Sequence, residues 1–170
     1  MLVSGKSIKE DMSVDAEVCI VGGGVAGIVL ANELKKSFAN IVVVESGGEH
    51  YDQAAQELCQ PDDKPSLLPD PNYSRLRFLG GSSNHWENNT SPYSPIDFET
   101  RGWIANSGWP ISYQEIQAYY VKAQLYCGVD SDGYSSEYWQ AKLAQNDLVS
   151  ESKLIETQIT KAAIPPVRFF

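Results

Sequence analysis

Six residues constrain this chain more than any others: Gly22-Gly23-Gly24-Val25-Ala26-Gly27. The stretch before them, Ala16–Val21, is apolar, rich in β-branched residues and stopped by glycine, the pattern of a short buried strand. After them, Ile28, Ala31, Leu34 and Phe38 recur at three- and four-residue steps, which predicts a helix over Val25–Phe38. Asn40 breaks that stripe, and Ile41-Val42-Val43-Val44 reads as a second buried strand. Strand, tight turn, helix and strand in quick succession make a βαβ unit, with its strands parallel and its crossover right-handed.

Each glycine of the turn has its own use. Gly22 permits the tight turn, Gly24 lets the backbone approach a pyrophosphate, and Gly27 lets helix and strand pack closely. The helix N-terminus offers free N–H groups and a partial positive charge to phosphates. Glu45 closes the second strand, where its carboxylate can accept hydrogen bonds from both ribose hydroxyls of an adenosine. The same charge repels the 2′-phosphate of NADP. A glycine turn that merely packs would have the same spacing; the flanking strands, the helix and the terminal acid supply the context that a dinucleotide site requires. NAD and FAD share the adenosine half, so these residues do not separate them.

Several classes are excluded. Thirteen Lys and Arg stand against 22 Asp and Glu, a net charge of −9, which disfavours nucleic acid as a partner. The longest nearly unbroken apolar stretch, Val18–Ala31, carries three consecutive glycines and falls short of the roughly 20 apolar residues of a spanning helix. Cys19, Cys59 and Cys127 are odd in number and far apart, which gives neither a disulfide framework nor a zinc pattern. With His50 and His85 as its histidines, the chain is expected to build no metal site. Cys19 reads as a small core residue of the first strand, and reduced thiols and a cytoplasmic location are the default.

The second concentration of signal is Arg77-Phe78-Leu79-Gly80-Gly81-Ser82-Ser83-Asn84-His85-Trp86. Two glycines and two serines make a nest of N–H groups and hydroxyls suited to a phosphate or a polyol chain. Arg77 can neutralise phosphate charge. Asn84 offers a donor and an acceptor, His85 a nucleophilic ring nitrogen, and Trp86 a flat apolar face.

Residues Asp15–Gly27, Glu45 and Gly80-Gly81-Ser82-Ser83 together resemble the amino-terminal part of the glucose–methanol–choline oxidoreductases. The run Gly81–Trp86 is most similar to the branch with pyranose oxidase and the sugar and polyol dehydrogenases, and Ser107–Ser112 with Ile116 resembles a further stretch of that branch. The resemblance implies FAD and the oxidation of CH–OH groups of an alcohol or sugar. It implies that Gly22, Gly24, Gly27 and Glu45 hold the ADP half of FAD, that Arg77, Gly80, Gly81 and Ser82 hold the pyrophosphate and ribityl side, and that Asn84, His85 and Trp86 stand beside the isoalloxazine. Whether His85 carries the flavin covalently is left open. The family's catalytic base is a histidine in a carboxyl-terminal segment with no counterpart here, so no catalytic residue is assigned. The alternatives are a nucleotide-binding remnant without catalysis, or a flavin or NAD enzyme sharing the βαβ unit alone.

The expected fold class is therefore α/β: an FAD-binding Rossmann-type βαβ core with long irregular loops, added helices and an incomplete sheet. Residues 1–14 are expected to form a flexible arm, 15–128 a partial FAD-binding domain, and 129–170 a helical segment leading into a substrate domain. The chain reads as the front part of a larger protein, with a partner subunit or a homo-oligomer, and export to the periplasm with such a partner, as further implications of the resemblance. From Ser46 to Pro110 the sequence is rich in Pro, Asn, Ser and Asp, with a helical turn or two at Gln53–Cys59. Ser112 and Glu115 form a capping box for a helix over Tyr113–Cys127 that Gly128 stops, and weaker periodicity predicts helices over Glu137–Leu148 and Glu151–Ala163. Tyr119, Tyr120, Tyr126, Trp103 and Trp109 read as packing residues. Asn72-x-Ser74 and Asn88-x-Thr90 match the glycosylation sequon.

Overall fold

A parallel pair of four-residue strands anchors the first part of the chain: β1 (Val18–Val21) lies beside β2 (Ile41–Val44), with Val18 opposite Ile41 and Val21 opposite Val44. α1 (Val25–Leu34) connects them. This computed structural model describes residues 1–60, 71–130, 133–143 and 158–169. Mixed helix and parallel strand make it an α/β arrangement. The described residues fall into two compact units, one of residues 1–86 joined by Arg168 and Phe169, the other of Glu87–Val167.

In the first unit, side-chain alternation along β1 decides burial. Ile20 is 7% exposed, whereas Cys19 is exposed and Val21 is 86% exposed. The expectation that Cys19 is a core residue is thereby corrected. Successive side chains of a strand point to opposite faces, and those two carry the side opposite Ile20. α1 also stops at Leu34 rather than Phe38. Its end tightens into a turn in which Ser37 and Phe38 both donate N–H groups to the Leu34 carbonyl. Glu17 then fastens the entry to β2, its carboxylate accepting the Ala39 and Asn40 N–H groups at 2.8 Å each.

The stretch after β2 holds more regular structure than its composition suggests. α2 (Gln53–Glu57) is capped by Asp52, which accepts the Ala55 N–H at 2.9 Å. α3 (Pro71–Ser74) and a 3₁₀ turn over Gly81–Asn84 follow. None exceeds five residues, too short for a 3.6-residue period to show.

In the second unit, α4 (Pro95–Phe98) starts with proline, and the Asp97 carboxylate accepts the Ser94 N–H. α5 (Tyr113–Tyr126) has the capping box read from the sequence: Ser112 N–H donates to Glu115 at 2.7 Å and Glu115 N–H to the Ser112 hydroxyl at 3.3 Å. Gly128 at φ +67° ends the run. α6 (Ser136–Leu143) matches the front of the helix predicted from Glu137, while 144–148 lie outside the described residues.

The helix predicted over Glu151–Ala163 is corrected where it can be seen: 151–157 lie outside the described residues, and 158–163 are not helical. Lys161 there exchanges backbone hydrogen bonds with Thr90, at 2.7 and 2.9 Å, as an antiparallel bridge. Tyr93, Phe98, Trp109, Tyr113 and Tyr120 pack ring against ring. Trp103 and Tyr119, expected to pack as well, are 79% and 67% exposed. Asn88 is fully buried at φ +60° and donates its amide to the Cys127 carbonyl at 2.7 Å, so the sequon at Asn88 is closed to a glycan in this fold.

Candidate functional site

All eleven residues singled out for a cofactor lie in the first unit. Gly22 sits at φ +104°, a conformation that a residue with a Cβ rarely adopts, and its N–H extends the ladder to the Val44 carbonyl at 2.7 Å. Gly24 is the N-cap of α1 and gives it no side-chain cap. Its φ of −82° suits any residue, and a Cβ there would meet nothing within 4 Å. Gly27 is the opposite case. A Cβ on it would overlap the Gly22 carbonyl, so this glycine is what lets α1 lie against the turn.

The Glu45 carboxylate folds onto the same turn. One oxygen accepts the Gly23 N–H at 2.6 Å, the other the Gly47 N–H at 2.9 Å and the Ser46 hydroxyl at 3.3 Å. Partial burial works to raise its pKa, but the N–H groups of Gly47 and Gly23 together with Ser46 outweigh burial and hold the carboxyl below the ordinary value of 4.5. A carboxyl depressed by folding stabilises the fold above its ordinary pKa, and that contribution is lost as pH falls through the lower, folded value. The urea midpoint of Glu45→Gln should therefore lie below that of the parent at pH 7 and converge on it as the pH is lowered from 5 toward 3. A gap independent of pH would show that the carboxylate's charge does not hold the turn.

The second glycine turn comes to the first. Gly80 donates its N–H to the Gly23 carbonyl at 2.8 Å, Gly24 pairs with Gly80 as a parallel bridge, and Leu79 N–H donates to the Gly48 carbonyl at 2.9 Å. Gly80 and Gly81 both have positive φ, +89° and +56°, and a Cβ on Gly81 would stand 3.2 Å from the Gly24 Cα. The Ser82 hydroxyl accepts the Leu76 N–H at 3.3 Å. Asn84 Nδ2 donates to the carbonyls of Leu79 and Gly81 at 2.9 Å each, so its donor is used within the turn. His85 is exposed, and Trp86 is half-buried. Arg77 donates its backbone N–H to Gln56 at 3.0 Å and a guanidinium N–H to the Leu58 carbonyl at 3.4 Å, while its buried Nε has no partner among the described residues.

No family model matches the chain. It is 24% identical over 151 residues to the fructose dehydrogenase large subunit of Gluconobacter japonicus, an overlap covering 69% of this chain and 28% of that protein. That distant similarity supports an oxidoreductase. The chain thus spans under a third of the length of this curated relative.

Among the described residues no helix is long and apolar enough to cross a membrane, and no three His, Cys, Asp or Glu side chains gather as a metal site. Sequence reasoning gave no role to Gln56, Arg168 or Phe169, which shape the second turn, and read Ser83 as a hydroxyl open to a ligand rather than one used inside the turn. Gln56 is 1% exposed and Ser83 fully buried. Gln56 accepts the Arg77 N–H and donates to the Arg75 carbonyl at 2.7 Å. A glutamine on a five-residue helix carries no pattern that announces such a role. Gly47 did offer a signal, as the start of a Gly-Gly pair just after Glu45: a Cβ on it would overlap the Arg77 carbonyl.

Proposed function

We propose that this chain is the nucleotide-binding part of an FAD-dependent oxidoreductase that oxidises a CH–OH group of an alcohol or sugar. One observation carries the reading. Nothing inside the fold requires glycine at position 24, since neither its dihedrals nor its surroundings exclude a side chain. Yet it stands at a helix N-terminus without a side-chain cap, next to Gly23, whose N–H holds Glu45, and paired with Gly80 of the second glycine turn. Close approach of a pyrophosphate would account for the missing side chain.

Gly22, Gly24 and Gly27 would shape the cradle for the diphosphate, and the Glu45 carboxylate would take the adenosine ribose hydroxyls. Arg77, Gly80, Gly81 and Ser82 would hold the pyrophosphate and ribityl side, with Asn84, His85 and Trp86 beside the ring system. The first-turn N–H groups of α1, ahead of the first helical bond at Ile28, suit the anion and the Glu45 carboxylate suits the diol, while the N–H groups of Gly22, Gly80 and Gly81 are engaged within the fold. Bound FAD would supply the hydride acceptor. This chain's residues bind and orient; the base that takes the hydroxyl proton is not among the residues assigned. The name of the relative, a fructose dehydrogenase large subunit, supports a sugar substrate and a partner subunit.

The test is the visible absorption of the purified chain, incubated with FAD and desalted, before and after acid precipitation. A retained flavin band displaced by ADP is the expected result. A band that stays with the precipitate would add a covalent bond, with His85 the first residue to replace. No retained flavin and no ADP-sensitive binding would overturn the proposal.

A further inference from the structure

We infer that Arg168 and Phe169 are positioning residues for the Asn84-His85-Trp86 edge of the second glycine turn, and so for the flavin-side half of the site; the flavin part rests on the function proposed above. Arg168 and Phe169 lie more than 80 residues from this turn in sequence, yet four separate contacts converge on it. Phe169 N–H donates to the Ser83 hydroxyl at 3.1 Å, and that hydroxyl donates on to the Gly80 carbonyl at 2.8 Å. The Phe169 carbonyl lies against Gly80, where a Cβ would overlap it. Arg168 donates a guanidinium N–H to the Trp86 carbonyl at 3.0 Å. The Phe169 ring, 7% exposed, meets the Trp86 ring edge to face at 5.9 Å.

These contacts do more than fill a core. A ring that served only to bury apolar surface would need neither the main-chain bond to Ser83 nor the arginine on the Trp86 carbonyl. Both act on the backbone of the turn. From the other side, the Asn84 amide ties the turn to Leu79 and Gly81. Exposed His85 is thus flanked by two residues that are each held, Asn84 by its side chain and Trp86 by its carbonyl and ring. Fixing a binding edge in advance raises affinity by removing the cost of ordering it on binding.

The test uses the full chain with Arg168→Gln, Ser83→Ala and Phe169→Leu, the last keeping an apolar side chain and the main-chain N–H. Amide hydrogen exchange at Ser83–Trp86 should accelerate by about tenfold or more in the first two variants and less in the third, with β1 and α1 unchanged. FAD binding should weaken by about tenfold while ADP binding stays within about twofold, because the ADP half lies at the first turn. Unchanged exchange at the turn, equal acceleration in β1 and α1, or equal loss of FAD and ADP would each overturn the inference. A parent chain that binds neither FAD nor ADP would overturn the proposed function and with it the flavin half of this inference, and the exchange pattern would still decide whether the two residues hold the turn.

Discussion

Gly24→Ala should fold as the parent does and lose FAD, whereas Gly27→Ala should fail to fold its first unit. The two residues lie three apart in one turn, and the contrast follows from where a methyl group would go. At Gly24 it enters open space with an ordinary φ. Alanine lowers the entropy of the unfolded chain, worth about 0.4–1 kcal/mol, and is a poorer N-cap than glycine by a comparable amount, so stability should stay within about 1 kcal/mol. At Gly27 the methyl overlaps the Gly22 carbonyl, and α1 must move off the turn.

Overpacking of that kind costs about 1–3 kcal/mol even where side chains can yield, and here the obstacle is backbone. Ile20 and Phe169 are the buried apolar side chains described in this unit, so there is little reserve to absorb the strain. Urea midpoints followed by circular dichroism, with flavin fluorescence quenching for binding, would separate the two. Undiminished FAD binding by Gly24→Ala would remove the observation on which the function rests.

Gln56→Ala should be the next most damaging change, by about 2–4 kcal/mol, because it takes one partner from each of two part-buried hydrogen bonds, leaves the Arg75 carbonyl and the Arg77 N–H unpaired, and opens a cavity. Gln56 spans the Arg75 carbonyl and the Arg77 N–H, fixing the backbone that leads into the second turn. Its loss should therefore lower the urea midpoint and also raise the FAD dissociation constant. Gln56→Glu would replace the amide donor by a second acceptor opposite the Arg75 carbonyl, and should destabilise by a similar amount at neutral pH. Midpoints within error of the parent for both variants would show that Gln56 is not the link between α2 and the turn.

The βαβ unit was legible because its signals are local: a glycine turn, a helical stripe and two β-branched runs, each read within a dozen residues. The capping box at Ser112 and Glu115 was legible for the same reason. What escaped was non-local. Lys161 lies in an extended segment because Thr90, far away in sequence, offers it a backbone partner, and helical periodicity around it contains no trace of that. Cys19 looked like core because β1 is apolar throughout, but burial depends on what covers each face of the strand. Within the candidate site, the glycines and Glu45 announced themselves by spacing, whereas Gln56 and Phe169 act through contacts that span 19 and 86 residues.

That separation has a consequence for the order in which the molecule assembles. β1, α1 and β2 are complete once about 45 residues have been made, and they can associate at once because little loop entropy opposes them. The second turn cannot close then. Its serine and tryptophan wait for Arg168 and Phe169, 82 residues after Trp86 in the case of the arginine. At about 5–20 residues per second, synthesis of that stretch takes roughly 4–16 s. During translation the nascent chain thus holds a finished first glycine turn beside an unfinished second one, and the two halves of the proposed cofactor site mature seconds apart.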